Sequence, residues 1–134
     1  MVMPRYKIQL YETPDGRCPV ESWLSGLTST KRRAVAAALG EILEHEGPGV
    51  CGTMWGRWLG AGLFEFRIAR SPVDPQPSGK LLLRIFCHPH GDKVIFLLGA
   101  YDKGRHDKGS YQARQIAVAR RRLDDFKRHR RQGA

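Results

Sequence analysis

Residues 62–70 read GLFEFRIAR. Phe64, Phe66 and Ile68 alternate with Glu65 and Arg67, the period-2 signature of a strand with one apolar face. Two further stretches repeat the theme. Residues 80–87, KLLLRIFC, carry Leu83 and Ile85 around Arg84, and residues 93–101, KVIFLLGAY, are apolar on both faces. The last therefore belongs inside a sheet, covered on both sides. If the Phe66/Ile68 and Leu83/Ile85 faces share one core, Phe66 lies opposite Ile85 and Ile68 opposite Leu83. That antiparallel register places Arg67 opposite Arg84 on the other face.

The connections support three consecutive antiparallel strands. SPVDPQPSG, residues 71–79, is too rich in proline to be anything but loop. HPHGD, residues 88–92, is short enough to join its strands as a hairpin. Upstream, residues 5–12, RYKIQLYE, alternate Tyr6, Ile8 and Leu10 with polar neighbours and read as a strand. TPDG is turn chemistry. Pro19 suits the first position of a short helix, VESWLSGL, that stops near Gly26. Residues 30–46 give a longer helix, capped by Ser29 or Thr30, with Val35, Ala38, Leu39, Ile42 and Leu43 on one stripe. Its charges oppose the helix dipole, Lys31, Arg32 and Arg33 coming first and Glu41, Glu44 and Glu46 last. From about residue 110 a last helix carries Ala113, Ile116, Ala119, Leu123 and Phe126 on its apolar stripe, surrounded by arginine and lysine. Strand, two helices, three strands and a helix predict an α+β domain: a small antiparallel sheet, helices packed on one face, and a basic C-terminal helix.

The 134 residues fit a single domain, 1–134, and 41% hydrophobic residues suffice for a core. No apolar run is long enough to span a bilayer, and the N-terminus lacks a signal-like apolar core, so a cytoplasmic protein without a membrane partner is expected. Cys18, Cys51 and Cys87 form neither a disulfide framework nor a CxxC pair. The net charge of +10 is uneven: residues 1–60 hold 7 Lys/Arg and 6 Asp/Glu, and residues 61–134 hold 16 and 7. Such asymmetry points to a polyanionic partner, nucleic acid first, with an anionic membrane surface or an acidic protein as other possibilities.

Two guanidiniums side by side on a sheet are costly without an anion or carboxylate between them. Glu65, on the same face as Arg67, can serve. The trio then reads either as a surface salt-bridge cluster or as a fork for phosphate.

WLGAGLFEFRI, LLLRIF, VIFLLGAYDK and a C-terminal helix ending RRLDDF, in that order, resemble the phage-derived HigB-like toxins of the RelE/ParE superfamily. The likeness runs from Tyr6 to about Arg128 and includes the VESWLSGL helix. It implies a RelE-like fold and a metal-independent endoribonuclease without a cofactor. Such an enzyme is the toxin of a type II toxin–antitoxin system, cleaving mRNA in the ribosomal A site and inhibiting translation. Its partners would be the ribosome, mRNA and a helix-turn-helix, HigA-like antitoxin. Residue by residue, Arg67 and Arg84 match the two strand arginines and Lys103 a lysine after the third strand, and these three are the catalytic candidates. Asp102 stands where relatives often have the first of two adjacent lysines. RNA cleavage by the 2′-hydroxyl needs a base, a cationic clamp on the phosphorane and an acid for the leaving oxygen. Tyr101, His106 and Lys108 are further candidates for proton transfer. Arg57, Arg120, Arg121, Lys127 and Arg128 are expected to contact RNA phosphates. Two other readings stay open: a gyrase-targeting ParE-like toxin, and a non-catalytic nucleic-acid-binding protein of prophage origin.

Other constellations carry less. Cys87, His88, His90 and Asp92 match no zinc spacing, so no metal is expected. Residues 60–62, GAG, are followed by neither Lys-Ser/Thr nor a helix, unlike a phosphate loop. Trp55 and Trp58 suit packing or base stacking.

Overall fold

The computed structural model describes residues 5–74 and 80–132, with side chains to residue 130. Residues 75–79 of the proline-rich loop and the side chain of Arg131 lie outside the described residues. Strand β1 (Lys7–Leu10) leads to helix α1 (Pro19–Ser25), which has proline in its first turn and Gly26 at its C-cap. Helix α2 (Ser29–Ala38) follows, runs through a π-turn (Leu39–Leu43), and ends in a short turn, α3 (Glu44–Glu46). Its cap is Thr28, one residue earlier than the sequence suggests, whose side chain accepts from the Lys31 amide at 3.3 Å. Four strands then run in succession: β2 (Gly56–Gly60), β3 (Leu63–Ile68), β4 (Leu83–His90) and β5 (Val94–Asp102). Helix α4 (Gly109–Gln132) closes the described chain.

The α+β class and the C-terminal helix are as expected, on a five-stranded sheet ordered β1-β5-β4-β3-β2. The β3/β4 register is the one inferred from alternation: Phe66 opposes Ile85, Arg67 opposes Arg84, and Ile68 opposes Leu83. Three features differ. β1 pairs parallel with β5, Ile8 beside Ile95 and Leu10 beside Leu97, which makes the sheet mixed. β2 is an added edge strand, joined to β3 through Ala61 and Gly62, both at positive φ (52° and 81°) as in a type I′ hairpin turn. His88 and His90 sit inside β4, so the hairpin turn is confined to residues 91–93.

A further difference concerns the layers, because the helices occupy both faces. On one, Val20, Val35, Ala38 and Leu43 pack against Phe64, Phe66, Ile68, Leu83, Ile85, Cys87, Ile95 and Leu97. On the other, Ala119 and Leu123 of α4 pack against Leu63, Phe86, Leu98 and Tyr101. The physical reason is that β4 and β5 are apolar on both sides; one helical layer would leave Phe86 and Leu98 in water. Tyr11, beyond β1, ties this second layer together by donating to Asp125 at 2.9 Å.

At the basic start of α2, Arg32 and Arg33 stay exposed while Lys31 is half-buried. Lys31 reaches Asp102 at 2.5 Å. Arg32 donates to the Leu24 and Leu27 carbonyls at 3.2 and 2.8 Å, meeting the negative end of α1.

Candidate functional site

The face that carries α4 also carries the arginine pair. Arg57 of β2 opposes Glu65, and Arg84 of β4 stands between Arg67 on β3 and Tyr101 on β5. Four adjacent strands thus bring Arg57, Glu65, Arg67, Arg84 and Tyr101 onto one surface, each as every second residue of its strand. Glu65 is completely buried. It accepts from Arg67 Nε at 2.8 Å and faces Arg84 Nε at 3.8 Å. Its second oxygen accepts from Gln112 Nε2, on the first turns of α4, at 3.2 Å. One carboxylate therefore restrains two guanidiniums and is itself oriented from a helix 47 residues away.

The two arginines differ in reach. Arg67 keeps about a third of its side chain exposed (32%), whereas the Arg84 side chain is 9% exposed. Arg84 donates from Nη1 to the Leu83 carbonyl at 3.2 Å, and its Nε is buried without a hydrogen bond among the described residues. Burial lowers its proton affinity, Glu65 opposes that, and the Arg67 charge adds to it; a guanidinium still stays charged. The Tyr101 hydroxyl is the second buried polar atom without a hydrogen bond. Burial and the Glu65 charge raise its pKa, while Arg84, Arg67 and Arg57 pull it back. Tyr101 thus holds its proton at neutral pH, which suits donation to a leaving oxygen better than base duty.

The proton-transfer candidates after β5 are placed less directly. The Lys103 amide donates to the Leu82 carbonyl at 2.8 Å, fixing the backbone at the end of the sheet. His106 stacks flat on Tyr111, centroids 4.1 Å apart, and Tyr111 lies 5.5 Å from the Tyr101 ring. The Lys108 carbonyl accepts the Tyr111 and Gln112 amides and so starts α4. Lys103, His106 and Lys108 share the 103–108 segment; no hydrogen bond or ion pair links their side chains to Arg67 or Arg84 among the described residues.

Asp102 has a structural job. It opposes Leu83 and points to the α2 face, away from Arg84 and Tyr101. One oxygen bridges to Lys31 and the other accepts the Gly104 amide at 2.9 Å, while its carbonyl accepts the amides of Arg105 and His106. It anchors the loop and adds no negative charge to the arginine face.

The expected RNA contacts divide in two. Arg57, Arg121, Lys127 and Arg128 are exposed. Arg128 leans toward Asp125 at 3.8 Å, and Lys127 lies close enough to His88 to lower its pKa. Arg120 is committed to the fold, donating to the Gly60 and Leu59 carbonyls at 3.1 and 2.6 Å. Arg122 does likewise to the Leu98 carbonyl at 2.8 Å, where β5 bulges against β4.

Cys87 faces the α1/α2 core and His88 faces α4, so the strand itself separates the two. His88 Nδ1 meets the Gly62 carbonyl at 2.7 Å. Trp55 stacks on Phe66 and Trp58 meets Phe64 edge-on, so both pack, although Trp58 remains about half exposed. Residues 60–62 make the β2–β3 turn. No helix among the described residues is long and apolar enough to cross a membrane.

Gln112 is the site residue that sequence reasoning misses. Its position on α4 carries no periodic signal, and its partner lies in another element. Compared with models of known protein families and with curated proteins, the chain matches none.

Proposed function

We propose that this chain is a ribosome-dependent mRNA endonuclease acting in the cytoplasm, the toxin of a toxin–antitoxin pair neutralised by a helix-turn-helix antitoxin. One observation carries the reading: Arg67 and Arg84 stand directly opposite each other and share one buried carboxylate. Natural sheets avoid like charges in that position. Retaining them suits a site where a second anion, the scissile phosphate, completes the balance. Arg67, the more exposed, meets the phosphate first, and Arg84 backs it from the sheet. Their fixed charges stabilise the phosphorane that forms as the 2′-hydroxyl attacks. Tyr101, which keeps its proton, would protonate the 5′-oxygen. His106, exposed and stacked on Tyr111, offers an imidazole to accept the 2′-hydroxyl proton. The ribosome would hold the RNA in line, which by itself contributes several kcal/mol. The positive charge of residues 61–134 serves the rRNA phosphates.

One observation favours a second reading, a nucleic-acid-binding protein without catalysis: Arg84 is 8% exposed and Tyr101 2%, so both are reached only at their edges. Inducible expression in a bacterium, with primer extension on cellular mRNA, separates the two. Growth arrest with discrete cuts, both lost in Arg67→Ala, supports the nuclease. Arrest with intact mRNA moves the target to gyrase or another polyanion, and no arrest leaves the binding protein.

A further inference from the structure

β1 ends at Leu10, opposite Leu97, so no strand among the described residues covers the outer edge of β5 at Ala100–Asp102. A cavity of about 270 Å³ opens there. One wall comes from the α1–α2 side, with Trp23, Thr28 and the Lys31–Asp102 bridge; the other comes from the α4 side, with Arg105, His106 and Tyr111. Tyr101 borders it as well, while the charges that act on its phenol are those of Glu65, Arg84, Arg67 and Arg57. The cavity and the arginine face thus meet at one residue.

The chemistry of the lining is selective. Aromatic rings stand on both walls: the Trp23 indole on one, the stacked His106–Tyr111 pair on the other. Thr28 Oγ accepts the Lys31 amide, and its own proton remains available to a ligand acceptor. Lys31 is neutralised by Asp102, so the cation left to a ligand is Arg105, whose guanidinium makes no hydrogen bond or ion pair among the described residues. Flat rings, a hydroxyl donor and one uncommitted guanidinium suit a planar heteroaromatic ring attached to a phosphate. The size is slightly below the ~300–1,000 Å³ typical of sites for larger ligands, as a single base requires.

We propose that this cavity is a nucleobase pocket. It takes one base of an RNA strand, with the phosphate of that nucleotide on Arg105 and the next phosphate on Arg67 and Arg84. This inference rests on the RNA reading above, and it names a specificity element for that site: base preference is set by Trp23, Thr28 and Tyr111, outside the arginine face. Stacking between rings is sequence-tolerant, and the hydroxyl edge supplies the discrimination.

The test uses the whole chain, labelled with nitrogen-15, titrated with each of the four nucleoside 3′-monophosphates and, separately, with ribose 5-phosphate. The indole N–H signal of Trp23, assigned by its loss in Trp23→Phe, is followed. A saturable shift of that signal by at least one nucleotide, absent with ribose phosphate, is expected. Arg105→Ala should weaken it about tenfold, the usual scale for losing a charge-assisted hydrogen bond, whereas Arg67→Ala should retain it. A still Trp23 signal, an equal response to ribose phosphate, or full affinity in Arg105→Ala would overturn the pocket. Messenger cleavage by the same preparation is scored in parallel: cleavage without nucleotide binding sinks the pocket alone, and nucleotide binding without cleavage keeps the pocket and sinks the nuclease.

Discussion

Glu65 is the residue on which the arginine face turns, and its removal has a calculable cost. The carboxylate is fully buried, 2.8 Å from Arg67 Nε and 3.8 Å from Arg84 Nε. At about 4 Å and an effective dielectric near 20, one such pair attracts by roughly 4 kcal/mol. Solvent screens the Arg67 share, since that side chain is a third exposed, to about 1 kcal/mol or less. Arg84 has no such relief. In Glu65→Ala it becomes a buried cation without a counter-charge, facing a second guanidinium, which places the loss at about 3–5 kcal/mol. Urea unfolding followed by circular dichroism reads this directly. With a slope of about 1–3 kcal/mol per molar for a small domain, the midpoint should fall by about 2 M. Glu65→Gln, which keeps the shape and an acceptor for Arg67, should lose less. In the Glu65→Gln/Arg84→Met double variant the two losses should fail to add by at least about 1 kcal/mol, because each single change strands the other partner. A midpoint shift under about 0.5 M in Glu65→Ala, at unchanged slope, would refute the reasoning and return the cluster to an ordinary surface ion pair.

Three further outcomes follow from geometry. Ala61 holds φ 52° in the β2–β3 turn, so Ala61→Gly should raise stability by about 1 kcal/mol, read as a higher Tm; an unchanged or lower Tm would contradict the strain. Burial and the bond to Asp125 push the Tyr11 phenol up to about 12 from 10.0, so the folded state is favoured fully below pH 10 and loses that contribution as pH rises toward 12. Tyr11→Phe should lose about 1 kcal/mol at neutral pH and flatten that alkaline limb in pH-dependent melting. His88 runs the other way: burial, with Lys127 and His90 nearby, lowers its pKa below 6.5 despite the Gly62 carbonyl. Its contribution is complete above that value and is lost as pH falls through the folded pKa. A His88→Gln variant with an unchanged acid limb would show that another group sets it.

What was legible in the sequence is what strand alternation encodes. Phe64, Phe66 and Ile68 against Leu83 and Ile85 specify a face, and a one-residue slip would expose them all, so the register and the Arg67–Arg84 pairing follow. β2 escapes because GRWLG is short and bounded by glycines; its readable trace is the turn at Ala61–Gly62. The parallel course of β1 is set by where α1 and α2 deliver the chain, which no local pattern records. The apolar stripe of α4 announces packing without saying against which face, although Phe86 and Leu98 on the outer side of β4 and β5 were a usable clue. Asp102 looked like a lost lysine because the linear motif does not show which side of β5 it takes. The Glu65–Gln112 and Lys31–Asp102 contacts join residues 47 and 71 positions apart and exist only once the layers are assembled.

The most direct test of the central proposal is cleavage by the purified chain of one messenger presented in two ways, free in solution and threaded through translating ribosomes, with Arg67→Ala and Arg84→Lys alongside after their melting curves show the fold intact. The account predicts discrete cuts on the ribosome-bound message alone, abolished in Arg67→Ala and strongly reduced in Arg84→Lys, since a lysine cannot reproduce the planar fork. Equal cutting by folded Arg67→Ala, or an intact message under both presentations, would contradict it.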